Sequence, residues 1–198
     1  TPTADGGRGM TAQWDDDIHH ALHVALTAES DGYYADFAGG GKAFPEGGAL
    51  GVLAKTLTDA FLHDGRWSRF RQGPWGARVD PEVTSGHAFL AYLQTHDQVG
   101  NRAVGDRISA SISPGQQAIG AALYLLSPFT AMVFMGVEWR ATTPFAFFTY
   151  FADEALGEAV RTGRCGGVGA QGWVAAGVPR TPEPAARIDC GVDWTQTH

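Results

Sequence analysis

His87-Ala88-Phe89-Leu90-Ala91-Tyr92-Leu93-Gln94, followed at once by Thr95-His96-Asp97, is the stretch whose reading decides the fold. It is a compact apolar run bounded by Gly86 on one side and polar residues on the other. Unbroken apolarity over strand length suits a strand buried on both faces, as in a parallel sheet. Downstream, Ser113-Pro114 opens a helix: Ser caps, and Pro is tolerated at the first helical position. Its body runs from Gly115 to Leu126, and Ser127-Pro128 stops it. Ala131-Met132-Val133-Phe134-Met135 is a second short apolar run, ended by Gly136. Strand, helix and strand in that order, with polar residues after the first strand, predict a parallel α/β architecture.

Upstream, Asp15, Asp16 and Asp17 crowd the start of an apolar-periodic run in which Ile18, Leu22 and Ala25 fall at helical spacing. Acidic side chains there satisfy orphan N–H groups and oppose the helix dipole. The helix is expected to end near Asp31-Gly32. Leu50, Leu53, Leu57 and Phe61 lie on one face of a second predicted helix over 50–62. Residues 1–13 and 39–51 read as loop, as do residues 63–86, which are rich in Arg, Gly and Pro. From residue 163 no core-forming period is visible, so 1–162 is the expected folded part and 163–198 a weakly structured tail.

Composition narrows the function. The 198 residues carry 14 Lys+Arg against 21 Asp+Glu, a formal net charge of −7, the opposite of what a nucleic-acid binder needs. A hydrophobic content of 44% supports a buried core. No apolar run is long enough to span a membrane. Cys165 and Cys190 read as free thiols of a reducing, cytoplasmic environment. The chain opens at Thr-Pro-Thr inside a polar, Gly-rich stretch, which gives the expectation of a piece of something longer.

The chemistry-bearing segment is Leu93-Gln94-Thr95-His96-Asp97-Gln98-Val99-Gly100-Asn101-Arg102. Reacting groups of parallel barrels and open sheets sit where strands end at their C-termini. A His-Asp pair there can bind vicinal hydroxyls and place negative charge beside a developing cation. The plainer alternative is a strand-end turn whose Asp and Asn satisfy local backbone groups. His19 and His23 share a helix face at i, i+4 spacing, as in zinc helices, but HHALH places no Glu as base and shows no third ligand. No metal and no cofactor is expected. Trp14, Tyr33, Tyr34 and Phe134 fit sugar stacking and core packing equally well.

FLAYLQTHDQVGNRAVGDR (89–107) resembles the fourth conserved region of the α-amylase superfamily of glycoside hydrolases, and is most similar to the malto-oligosyltrehalose trehalohydrolases. WDDDIHHALHVAL (14–26), DGYYADF (31–37), LAKTL (53–57), HDGRWS (63–68), SPFTAMVFMGVEW (127–139) and TPFAFF (143–148) resemble further segments of that family in the same order. WVAAGVP (173–179) and DWTQ (193–196) resemble its tail faintly. The resemblance implies part of a (β/α)8 barrel, roughly its last three strands with their helices and a loop-rich tail. It implies hydrolysis of the α-1,4 bond that joins a maltooligosaccharide to terminal trehalose, with maltooligosyltrehalose or maltooligosaccharide as the bound molecule. That chemistry retains configuration and needs two carboxyls about 5 Å apart. The family carries them before the stretch matched by Trp14, so the missing N-terminal half of the barrel is an expected partner and the chain alone an inactive one.

By the same resemblance, Asp97 matches the transition-state stabiliser, His96 a neighbouring sugar contact, and Gln98, Val99, Gly100 and Asn101 the loop lining the cleft. Asp16, Asp17, Ile18, His19 and His20 match a second binding stretch, with Ile18 in place of the usual Phe. Ala28-Glu29-Ser30-Asp31 imitates the family's general-acid signature in the wrong context, so Glu29 reads as an ordinary helix-end charge. The family's Gly-Glu-Glu-Trp-Gly is replaced by Gly136-Val137-Glu138-Trp139-Arg140, and its Asp-His by Tyr150-Phe151. A non-catalytic carbohydrate-binding remnant, or another enzyme of the superfamily, are the rival readings.

Overall fold

A computed structural model describes residues 9–40, 44, 45, 47–147, 151–170 and 190–197. The expectations for residues 1–8, 41–43 and 46, for Tyr150 and for most of the tail lie outside the described residues. In chain order the elements are β1 (Gln13–Trp14), α1 (Asp16–Thr27), α2 (Ala49–Asp59), β2 (Asp64–Ser68), β3 (Gly73–Gly76), β4 (Phe89–Ala91), α3 (His96–Asn101), α4 (Pro114–Leu125), β5 (Thr130–Ala131) and α5 (Glu154–Ala170). They fall into two compact units, the first of residues 1–93 and 115–132, the second of 94–114 and 133–198.

In the first unit β1, β4 and β5 form a parallel sheet in the order β1-β4-β5. Trp14 pairs with Leu90, and Leu90 and Ala91 pair with Thr130 and Ala131. Parallel pairing of the two apolar runs is therefore as the sequence predicts. β4 starts later than its run, because residues 86–88 form a 3-10 turn capped by the Ser85 hydroxyl, and β5 takes in only Ala131 of the second run. A parallel pair needs a crossover, and α4 supplies it between β4 and β5. Its start at Pro114 is as expected, and it buries Gln117, Gly120 and Tyr124. A Cβ on Gly120 would stand 2.8 Å from Leu26 Cδ1.

α1 begins as predicted. The Asp15 carboxylate accepts the Ile18 N–H at 3.2 Å, and Asp16 and Asp17 occupy the first turn. Ile18, Ala21, Leu22 and Val24 pack into the core. The helix ends at Thr27 and not near Asp31. Ala28 turns left-handed at φ 61°, its N–H capping Val24 O, and Thr27 Oγ1 donates to His23 O while accepting from Glu29 N. In α2 the buried face is Val52, Leu53 and Thr56, while Leu50 is 73% exposed. The predicted leucine stripe is thus rotated, and the helix stops at Asp59 because Ala60 adopts φ 68°.

Residues 64–76, expected as loop, form an antiparallel hairpin of β2 and β3. Backbone pairing holds it despite its Arg, Gly and Pro content, and Gly76 makes it possible. At φ 77° a Cβ there would lie 1.8 Å from the His63 carbonyl oxygen. No helix among the described residues is long and apolar enough to cross a membrane.

In the second unit Gln94 Oε1 accepts the Ile108 N–H at 2.9 Å, and Arg107 donates to Thr143 O at 2.6 Å and Met135 O at 2.7 Å. Gly100 lies under the Phe147 ring, where a Cβ would approach to 2.8 Å. Ala146 N–H meets the buried, free Cys190 Sγ at 3.1 Å. α5 runs to Ala170, straight through residue 163, where the sequence shows its change of character.

Candidate functional site

The residues singled out in the sequence fall on both units, Asp16–His20 on the first and His96–Asn101 on the second. On the second unit, Thr95 and Gln98 form a capping box that starts α3 immediately after the buried segment ending in Gln94. Gln98 Oε1 accepts from Thr95 N at 2.9 Å and from Thr95 Oγ1 at 2.6 Å, so its side chain serves the turn. Val99 and Gly100 are buried. The cap leaves His96, Asp97 and Asn101 exposed. The Asp97 N–H donates to Thr95 Oγ1 at 3.1 Å, while its carboxylate accepts from Asn101 Nδ2 at 3.0 Å. His96 stacks edge-on to Phe147, centroids 6.2 Å apart. Asp97 therefore holds a solvent-facing carboxylate on a rigid turn, orientated by one amide.

On the first unit, α1 distributes its polar residues by depth. Asp15 is fully buried, and Oδ2 has no hydrogen-bond partner. Burial, reinforced by Asp17, holds its pKa well above the ordinary carboxylate value against the backbone hydrogen bonds. Asp16 is exposed and accepts the Tyr92 hydroxyl. Asp17 Oδ2 accepts from Leu62 N at 2.9 Å, His63 N at 3.1 Å and His63 Nδ1 at 3.3 Å. Burial opposes its charge, but the His63 contacts outweigh it and lower its pKa.

His19 is buried, its Nδ1–H donating to Leu93 O at 2.7 Å and its Nε2 accepting from the Tyr34 hydroxyl at 3.1 Å, which fixes the tautomer. Ile18 is likewise buried. His23 pairs with Glu29 Oε2 at 2.8 Å and stacks on Tyr34, centroids 4.3 Å apart. Glu29 is thus a partner of α1. With His19 and His23 committed to protein groups, no set of three or more metal-ligating side chains assembles among the described residues.

His20 is half-buried among Tyr33, Tyr34 and Phe37, and its buried Nδ1 has no partner. Desolvation pushes its pKa down to about 4, against the pull of Asp17 and Asp16. The depressed value means that the unfolded chain binds more protons between about 4 and 6.5. Stability is therefore expected to fall as pH drops through that window, and His20→Phe to flatten the slope. Urea midpoints measured at steps across it check this.

Arg140 resolves one departure noted in the sequence. Its φ of 60° is the left-handed conformation that favours glycine. The side chain finds room by donating from Nη2 to Ser109 O at 3.0 Å and Ile112 O at 3.2 Å. Val137 is buried and Glu138 exposed. No role for Asp36, His63 or Arg107 is legible in the sequence itself. The resemblance of segments 31–37 and 63–68 to the trehalohydrolases is the sequence signal that points to Asp36 and His63.

No family model matches the chain. A solved structure from Salmonella typhimurium, described as an alpha amylase, superposes with a TM-score of 0.80 at 36% identity, over 95% of this chain and 30% of that one. The fold is thus an α/β fold of the alpha-amylase kind. Among curated proteins, the malto-oligosyltrehalose trehalohydrolase of Arthrobacter ramosus is 46% identical over 190 residues, 96% of this chain and 31% of the relative. That of Mycobacterium tuberculosis H37Rv is 43% identical over 99% of this chain, and that of Saccharolobus solfataricus 41% over 82%. Over nearly its whole length the chain is a homologue of malto-oligosyltrehalose trehalohydrolases, and it spans about a third of their length.

Proposed function

We propose that the chain carries the transition-state-stabilising part of a retaining glycoside hydrolase. That enzyme splits the α-1,4 bond next to terminal trehalose in maltooligosyltrehalose and releases trehalose. The observation that carries this reading is Asp97: an exposed carboxylate in the first turn of capped α3, just after the buried residues that continue from β4, in a chain 46% identical to a trehalohydrolase.

In this reading the segment is the last part of a (β/α)8 barrel. The nucleophile and the acid/base match no residue of these 198, and the rest of the barrel supplies them. Asp97 grips sugar hydroxyls as the ring gains positive charge, and acts through charge already in place when the barrier is crossed. Asn101 orientates it through the 3.0 Å hydrogen bond. His96 and the 98–101 turn contact the sugar beside it. Asp16 to His20 of the first unit form a separate binding stretch, in which Asp16 and the outer edge of His20 are the accessible groups, while Asp17, Ile18 and His19 hold the helix that presents them.

The purified chain is expected to release no trehalose from maltooligosyltrehalose, because loss of both reacting carboxyls costs many powers of ten in rate. A chimera in which this chain replaces the matched third of the Arthrobacter ramosus enzyme is expected to release it. Trehalose release by the chain alone, or a folded but inert chimera, overturns the reading.

A further inference from the structure

His63 lies outside the stretches proposed to contact sugar, yet its ring bridges two carboxylates of the first unit. Its Nδ1–H meets Asp17 Oδ2 at 3.3 Å on α1, and its Nε2–H meets Asp36 Oδ2 at 3.1 Å on the loop after the Gly32–Tyr34 turn. Both of its ring nitrogens therefore donate to carboxylates, which requires the charged ring. Asp36 is 1% exposed and reaches onward to the hairpin, accepting from Ser68 Oγ at 3.0 Å and Arg69 N at 3.0 Å. Phe37 and Phe44 wall the ring edge-on. Three segments remote in sequence thus close on one imidazole.

We propose that His63 is a positioning residue, a cation clasped between Asp17 and Asp36 that holds the first turn of α1, and with it the Asp16–His20 stretch, in place for its ligand. That the ligand is a sugar rests on the function proposed above. Removal of the ring proton leaves two carboxylates facing one neutral ring that can donate to only one of them. The clasp then opens at its Asp17 side or its Asp36 side.

The titratable and charged groups around the ring are Asp17 and the neutral His20 from α1, Asp36 from the loop, and Arg66 and Arg69 from the hairpin, the last two lying over Phe44. Burial opposes the charge on His63, but the two carboxylates outweigh it and raise its pKa above the ordinary histidine value. The contribution of the clasp is therefore complete below the unfolded value and lost as pH rises through the raised one.

Nuclear magnetic resonance of the full 198-residue chain tests this with ring-nitrogen labels and maltotriose as the probe. His63 is expected to titrate above the ordinary histidine value, with the amides of Asp16 to His20 moving at the same midpoint. Asp36→Asn is expected to lower that midpoint. His63→Gln should remove the step of those amides at the His63 midpoint, leaving any step near the His20 value of about 4, and weaken maltotriose binding about tenfold, the loss that goes with one charge-assisted hydrogen bond. An ordinary or lowered midpoint, or first-turn amides indifferent to it, overturns the clasp. If His63→Gln does not fold, Asp36→Asn alone decides through its midpoint. Absence of any maltotriose-induced shift in the wild-type chain sinks the sugar reading, and the titration then judges the clasp separately.

Discussion

In the Arthrobacter ramosus chimera, Asp97→Asn is expected to lower kcat/KM about a thousandfold, the order of loss seen when one preplaced electrostatic group is removed from a transition state. The loss should fall mainly on kcat. The charge that Asp97 answers exists only as the glycosidic bond breaks, so ground-state binding is little changed. Stability should hardly change, because the carboxylate is exposed and its bonds are to Asn101 and its own turn. That pair of results separates the two readings of the segment. A carboxylate that merely decorates a strand-end turn contributes a few tenths of a kcal/mol to about 1 kcal/mol through the helix dipole and nothing to rate. A mutant that loses stability and keeps its rate identifies that plainer role.

The second large effect is expected in the buried network of the first unit. Asp36→Ala removes the acceptor of Ser68 Oγ, of the Arg69 backbone N–H and of His63 Nε2 at one stroke. It leaves the Nε2–H of a charged imidazole and a backbone donor unpaired where water reaches poorly, with only the Asp17 side of the ring still held. Breaking one partner of a buried ion pair costs about 3–5 kcal/mol. Against a total stability of about 5–15 kcal/mol for ordinary domains, that is a large share. For a chain of this size it corresponds to a Tm lower by about 10 °C. Asp36→Asn keeps one carbonyl oxygen as acceptor and should lose clearly less. Thermal and urea unfolding of the two variants check this, and a change under about 1 kcal/mol for Asp36→Ala would show that the network is spanned by water.

The same network shows where reading the sequence stops. The three aspartates before Ile18 and the Ser113-Pro114 pair are local signals, and the structure places a helix start at each. The apolar runs before Gln94 and after Phe129 are local too, and they pair in parallel. What failed was decided at a distance or by a single backbone angle. Leu50 is exposed because the buried face of α2 is chosen by its packing on α1, not by the count of leucines. α1 stops early because Ala28 accepts a left-handed conformation that no alanine advertises. The hairpin was hidden by Arg, Gly and Pro, although Gly76 is the residue it cannot do without.

Within the candidate site the difference is similar. The surroundings of Asp97 are legible in the sequence because its neighbours along the chain, Thr95 and Asn101, are its neighbours in space. Asp17, Asp36 and His63 are separated by 27 and 46 residues along the chain and meet only through folding. Gln98 matches the cleft-lining loop by resemblance alone, and the structure shows its side chain capping α3. That cap follows from the Thr-x-x-Gln pattern present in the sequence at Thr95 and Gln98.

A crystal structure of the chimera with a bound maltooligosaccharide tests the central claim most directly. The account predicts the Asp97 carboxylate within hydrogen-bond reach, about 2.6–3.2 Å, of hydroxyls on the sugar ring at the bond to be split. A bound sugar with that carboxylate still facing bulk water contradicts it.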